Sequence, residues 1–255
     1  MPEILEVEIT RAGIVTAIGR TIERVERTDL LVVGDGVDAA ASGASIEGVG
    51  RVGKQLVLRT DHGDIGVHLG MTGRLLLGDE DPVGRLAYGS RGEHPVWDRW
   101  VVRLDDGRRL RLHDPRRLGR VVLDPPLDRF GPDALSLTAR GLAGALGGRS
   151  APVKAVLLDQ QRIAGLGNLL VDEVLWRSGI DPRRPARSLS ASEVSALQRT
   201  IRRRLPVMMR RGGSHTGTLS PEFRAVGGAC PRCATPMQRA TVGGRTTWWC
   251  PAHQV

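Results

Sequence analysis

The residues best suited to chemistry lie at the two ends of the chain. Met1-Pro2-Glu3 opens it, and removal of Met1, favoured when a small residue follows, leaves Pro2 as a secondary amine. An α-amino group with an ordinary pKa of about 7.7–8.0 is partly unprotonated at neutral pH and can attack carbon. On an aldehyde-like carbon it yields a charged iminium, the electron sink of covalent amine catalysis. Glu3, next door, is placed to move protons. The octet Met1–Glu8 also fits an ordinary helix start, with Pro2 at the first position and Glu3, Glu6 and Glu8 as first-turn acids. At the other end, Cys230, Cys233, Cys250 and His253 form Cys-x2-Cys-x16-Cys-x2-His. Two close ligand pairs on facing turns can close one tetrahedral Zn²⁺ site, structural because no position is left open for water.

These groups need elements to hold them. Apolar residues at Ile4, Leu5, Val7, Ile9, Ala12, Ile14, Val15 and Ile18 mark a helix from residue 3 to about 18, ended by Gly19, whose positive end would lower the amine pKa further. Residues 21–124 read as eight strands: 21–27, 45–50, 55–60, 64–69, 74–77, 100–104, 109–113 and 120–123. Turn signals at Asp61-His62-Gly63-Asp64 and Asp105-Asp106-Gly107 separate some of them. The pattern implies a β-sandwich or barrel behind one helix. Residues 125–150 read as a linker with a short helix at 139–145. Helices at 153–158, 169–178 and 192–209 follow in a domain spanning 151–227, with Asn168 able to cap the second and Gly179 to stop it. Gly165-Leu166-Gly167 before Asn168 suits either a plain tight turn or a phosphate cradle. Strands 237–242 and 245–249 flank Gly243-Gly244 as a β-hairpin within 228–255, with Arg245 beside its tip. The fold class is α+β: N-terminal helix on a β-sandwich (1–124), helical domain, metal β-hairpin.

Composition bounds the partners. The 255 residues carry a formal charge of +9 and a pI near 10.9, which favours a polyanion, most simply nucleic acid. All but two of the 37 cationic side chains are Arg, so Lys54 and Lys154 stand out as the residues able to supply a compact ammonium. No signal-peptide pattern or membrane-length apolar run is visible. The expectation is a soluble, cytoplasmic monomer that associates with the nucleoid through DNA, with no membrane partner.

Taken together and in order, these segments resemble the formamidopyrimidine-DNA glycosylase / endonuclease VIII family along nearly the whole chain. The matching stretches are Met1-Pro2-Glu3 with Glu6-Val7-Glu8, Arg51–Lys54, His68–Arg74 and Asp114–Gly119. They continue with Lys154–Gln160, Ile163–Asn168, Asp172-Glu173, Gly179–Pro182 and the hairpin with Gly244-Arg245. The resemblance implies a β-sandwich, a helix-two-turns-helix domain and a zinc-finger hairpin that together grip double-stranded DNA containing damaged bases or abasic sites. It also implies base-excision chemistry: a Schiff base from Pro2 to the sugar, Glu3 as proton shuttle, and β,δ-elimination served by Lys54 and Arg245. His68 and Asn168 match phosphate-binding positions, and Lys154 a basic residue near the active site. Met71 would fill the stack left by a flipped nucleotide, Arg116 address the orphaned base and Leu118 wedge the opposite strand. The competing reading makes Met71 and Leu118 core residues.

The chain also departs from the family pattern. Leu118 stands where purine-directed members carry Phe, Leu5 replaces a common Pro, and Trp97-Asp98-Arg99 occupies the place of a usual histidine, which makes Arg99 a candidate phosphate contact. His253 replaces a fourth Cys. Only residues 214–229 separate Gly213 from Cys230, short for the lesion-covering loop of 8-oxoguanine enzymes. Oxidised pyrimidine, formamidopyrimidine and abasic sites all stay open as preferred substrates, and a non-catalytic damaged-DNA-binding protein is the alternative to an enzyme.

Overall fold

Alternating hydrophobicity between residues 21 and 123 becomes two four-stranded antiparallel sheets. The computed structural model describes residues 2–84 and 94–255, and Met1, whose removal the chemistry invokes, lies outside the described residues. The strands are β1 (Ile22–Thr28), β2 (Ile46–Val52), β3 (Gln55–Thr60), β4 (Gly63–His68), β5 (Arg74–Leu77), β6 (Asp98–Leu104), β7 (Arg109–His113) and β8 (Arg120–Leu123). One sheet has the order β1-β6-β7-β5 and the other β2-β3-β4-β8. Their inner faces share a core that includes Leu56, Leu58, Ile65, Val67, Trp100, Val102 and Leu112. Helix α1 (Ile4–Gly13) places Ile4, Leu5 and Val7 fully out of solvent and packs on β2, β3 and β5.

The helical stripe expected to reach residue 18 breaks at Gly13. Gly13 and the β-branched run Ile14-Val15-Thr16 weaken helix propagation, so Ile14 leaves the helical backbone (φ −104°, ψ 7°) while staying buried. A 3₁₀ turn over Val15–Ala17 carries the chain to Gly19, whose φ of +79° ends the segment. A short helix α2 (Val37–Ala41), not foreseen because five residues are too few to show a period, plugs Val37 and Ala41 into the same core.

The chain divides into two compact units, Met1–Asp128 and Arg129–Val255. The second contains α3 (Ala139–Leu146), α4 (Val153–Leu158), α5 (Asn168–Ser178), α6 (Ala191–Arg210) and a hairpin of β9 (Gln238–Val242) and β10 (Arg245–Trp249). Val242 pairs with Arg245, and Gly243 and Gly244 adopt φ of +58° and +71°, the left-handed backbone a two-residue hairpin turn requires. Gly179 ends α5 in the left-handed conformation (φ +70°), as expected. The N-cap of α5, however, is Gly167 and not Asn168. Asn168 is the first helical residue, and its amide is drawn aside to the carbonyl of Thr246 at 3.1 Å.

Helix α6 begins with a capping box. Ser190 accepts from the Glu193 N–H, the Glu193 carboxylate accepts from the Ser190 N–H at 2.7 Å, and Arg184 adds a contact of 2.5 Å. The Arg184 hydrogen bond and the Ser190 N–H bring the Glu193 carboxyl down to about 2. A depressed carboxyl contributes stability above its unfolded value and loses it as pH falls through its folded value. The melting-temperature difference between wild type and Glu193→Gln is therefore expected to be constant above about pH 4.5 and to vanish near pH 2, as read by circular dichroism melts across that range.

Candidate active site

The N-terminus of α1 is built by two acids. Glu3 is the N-cap, 1% exposed, and its N–H donates to Glu6 Oε2 at 2.8 Å in a reciprocal capping box. Pro2 is buried beside it, at the positive end of the helix. Two turns along, Glu8 accepts from Arg11 at 2.7 Å and from Arg51 at 2.9 Å. Burial pushes the Glu8 carboxyl up, but these two guanidinium groups prevail and hold it below its ordinary value. Arg51 also donates to the Gly53 carbonyl at 2.9 Å, so one guanidinium ties α1 to the turn that carries Lys54. Gly53 takes φ +54° there. In the β3–β4 ladder Gln55 lies opposite His68, which brings Lys54 near the imidazole. Burial, then the charges of Lys54 and Arg120, lower the His68 pKa. His68 Nδ1 accepts from the Gly70 N–H at 3.1 Å, leaving Nε2 to carry the proton of the neutral ring.

Beyond β4 and β7 run two loops in contact. A Cβ on Gly70 (φ +62°) would sit 2.4 Å from the Leu118 carbonyl carbon. Asp114, fully buried, fixes both loops. Its Oδ1 accepts from Thr72 Oγ1 at 2.9 Å and from Arg116 N at 3.2 Å. Its Oδ2 accepts from Leu118 N and Gly119 N, each at 2.7 Å. Met71 is 42% exposed and Leu118 41%, which excludes the reading of these two as core, and Arg116 is exposed with them. Asp114 is the residue that sequence reasoning missed; the signal was an Asp before Pro, a turn former whose carboxylate bonds the backbone N–H groups that follow.

Arg99 lies at the base of the second of these loops. It is 6% exposed, donating to the carbonyls of Asp114 (2.7 Å), Val96 (3.2 Å) and Pro115 (3.2 Å) and to Asp29 (3.3 Å). These four bonds hold the base of the 114–119 loop. His113, also missed, supports the same loop: its Nδ1 lies 2.7 Å from Asp98 Oδ1, and Asp98 also takes Arg111 at 3.2 Å.

In the second unit Lys154 is fully buried. Its Nζ donates to Asp172 Oδ1 at 2.6 Å and to the Thr246 carbonyl at 3.2 Å. Arg245, the neighbour of Thr246 at the hairpin tip, is exposed. At the other end of the hairpin, the ligand atoms of Cys230, Cys233, Cys250 and His253 all lie within 4.8 Å of one another. Cys233 Sγ is 3.5 Å from Cys250 Sγ and 3.6 Å from His253 Nδ1, separations that fit the edges of a tetrahedron around a small cation. Trp176 Nε1 donates to Cys230 Sγ at 3.3 Å, and contacts with Thr235 lower the Cys233 thiol to about 6. These four residues could hold one metal ion.

Two family models match the chain: the formamidopyrimidine-DNA glycosylase N-terminal domain over residues 1–121 and the formamidopyrimidine-DNA glycosylase H2TH domain over 130–220. Among curated relatives, the formamidopyrimidine-DNA glycosylase of Paracoccus denitrificans is 37% identical over 289 residues, with both chains covered in full. That of Rhizorhabdus wittichii is 38% identical over 281, again with full coverage of both. The crystal structure of the MutM (Fpg) protein from Thermus thermophilus superposes with a TM-score of 0.79 at 32% identity, covering 99% of this chain and 98% of that one. The Lactococcus lactis Fpg in complex with DNA containing an abasic site gives 0.81 at 26%, covering 99% of each chain.

Asp114→Asn turns an amide NH₂ toward backbone or hydroxyl donors. Leaving one buried donor unsatisfied costs about 1–3 kcal/mol, and the variant is expected to unfold at correspondingly lower urea concentration. Gly70→Ala, strained at positive φ and in collision with Leu118, should lower stability by a similar amount; an unchanged urea midpoint in either would show that the loops are not locked in this way.

Proposed function

Because the chain belongs to the formamidopyrimidine-DNA glycosylase family, we propose that it is a bifunctional DNA glycosylase/AP lyase acting on oxidised bases in duplex DNA. The observation that carries this reading is the buried, capped Glu3 directly after Pro2 at the helix N-terminus, in a chain matched to family members from end to end. Once Met1 is removed, the Pro2 lone pair forms a bond to C1′ of the damaged nucleotide and the glycosidic electron pair leaves with the base. Glu3 protonates the ring oxygen, the sugar opens, and an iminium joins Pro2 to C1′. Loss of a C2′ proton then expels the 3′ phosphate, and a second elimination expels the 5′ phosphate.

Lys54 and Arg245 serve these eliminations and hold phosphates, Arg245 as a clamp because its guanidinium stays charged. His68 donates Nε2–H to a phosphate and Asn168 meets another at the start of α5. A nucleotide turned out of the duplex leaves a gap, at a cost of a few kcal/mol. The exposure of Met71, Arg116 and Leu118 on one pair of loops supports their entry into that gap. The Cys230, Cys233, Cys250 and His253 site holds one structural Zn²⁺, which supplies cross-linking of the hairpin and no step of the reaction.

Borohydride should trap a covalent complex between the Met1-free protein and abasic-site DNA. Pro2→Gly is expected to abolish trapping, and Glu3→Gln to abolish base release while DNA binding persists. Binding without any trapped adduct across a panel of damaged duplexes would instead identify a non-catalytic damage-binding protein. Stripping the metal with a chelator should release one Zn²⁺ per chain and weaken DNA binding, with mass spectrometry of the native protein giving the stoichiometry.

A further inference from the structure

The charged side chain buried most completely in the second unit has no obvious reason to be charged. Lys154, on α4, is 0% exposed, and no phosphate can reach its ammonium without dismantling its surroundings. A buried ammonium is expensive unless paired, and here Asp172 of α5 provides the pairing at 2.6 Å, itself joined by Arg224 at 2.7 Å. The ammonium also donates outward to the Thr246 carbonyl at 3.2 Å, an oxygen that receives Asn168 Nδ2 at 3.1 Å as well. Two donors from two helices thus converge on one carbonyl of β10, the residue after Arg245. The hairpin turn is pressed onto α4 at the same place: a Cβ on Gly243 would meet the Cα and Cβ of Ala155 at 3.0 Å. Thr247 Oγ1 donates to the Arg245 carbonyl at 3.0 Å, so the backbone on both sides of Thr246 is engaged.

We infer that Lys154 is a positioning residue for Arg245: with Asn168 it seats the hairpin tip through the Thr246 carbonyl and acts on DNA only by fixing where the Arg245 guanidinium stands. A direct contact with the nucleic acid is excluded by its burial. A lysine is required because the slot admits a compact ammonium that must satisfy a carboxylate and a carbonyl at once, a task the broad guanidinium fork does not fit. This explains why a chain that uses Arg almost everywhere keeps Lys here. The inference rests on the reading of Arg245 as a phosphate clamp.

The test is a double-mutant cycle on the full, metal-loaded chain with a duplex carrying a reduced abasic site, binding being measured over a range of salt. Arg245→Ala is expected to weaken binding about tenfold or more and to lower the slope of log affinity against log salt by about 1. Lys154→Met should weaken binding on its own, yet the combined variant should bind as Arg245→Ala does, within about twofold. Losses that multiply, or wild-type binding by Lys154→Met, overturn the inference. If Lys154→Met does not fold, Gly243→Ala disturbs the same seating without touching charge. It should show the same loss and the same masking by Arg245→Ala, and wild-type binding by it overturns the inference. Hydrogen exchange of the Thr246 and Thr247 amides separates the two readings. Faster exchange in Lys154→Met with an Arg245→Ala protein that binds normally would sink the clamp role of Arg245 while leaving the seating measured; unchanged exchange would sink the seating.

Discussion

Burial of a charged group obliges the fold to bring donors or acceptors to it, and this protein turns that obligation into placement. Asp114 is the clearest case. Its two oxygens accept four hydrogen bonds from two loops, so neither loop can move without stranding a carboxylate inside the protein, which would cost several kcal/mol. Arg99 closes the same loop from below with three carbonyls and Asp29. The exposed residues Met71, Arg116 and Leu118 are therefore held by groups that are themselves buried.

The second unit repeats the device with two carboxylates in place of one. Lys154 and Arg224 share Asp172, while Glu173, the next residue on α5, takes Arg177 at 2.6 Å, Arg204 at 3.5 Å and the Leu219 N–H at 3.0 Å. Two adjacent acids on α5 thus anchor α4, α6 and the 214–229 segment. A small apolar cluster of Trp176, Leu219, Met237 and Trp248 around Cys230 and Cys250 completes the base of the hairpin.

Much of this was legible in the sequence. Strands β3, β5, β7 and β8 and helix α4 fall on the expected residues because Gly, Pro or Asp turn formers bound them, and the Cys/His spacing marked the candidate metal ligands directly. What escaped was whatever depends on partners distant along the chain. Nothing local distinguishes a buried Arg99 from an exposed one, or tells that Lys154 faces Asp172. Helix α2 is too short to show a period, and the end of α1 at Gly13 was hidden because the apolar stripe continues through the 3₁₀ turn. Asn168 has the composition of a cap, but the hairpin competes for its amide and Gly167 takes its place.

The contact between Gly70 and Leu118 means that the two apolar tips rise from a single stiff platform, with their spacing set before any ligand arrives. Changing that distance would require moving main chain against main chain, which side-chain repacking alone cannot do.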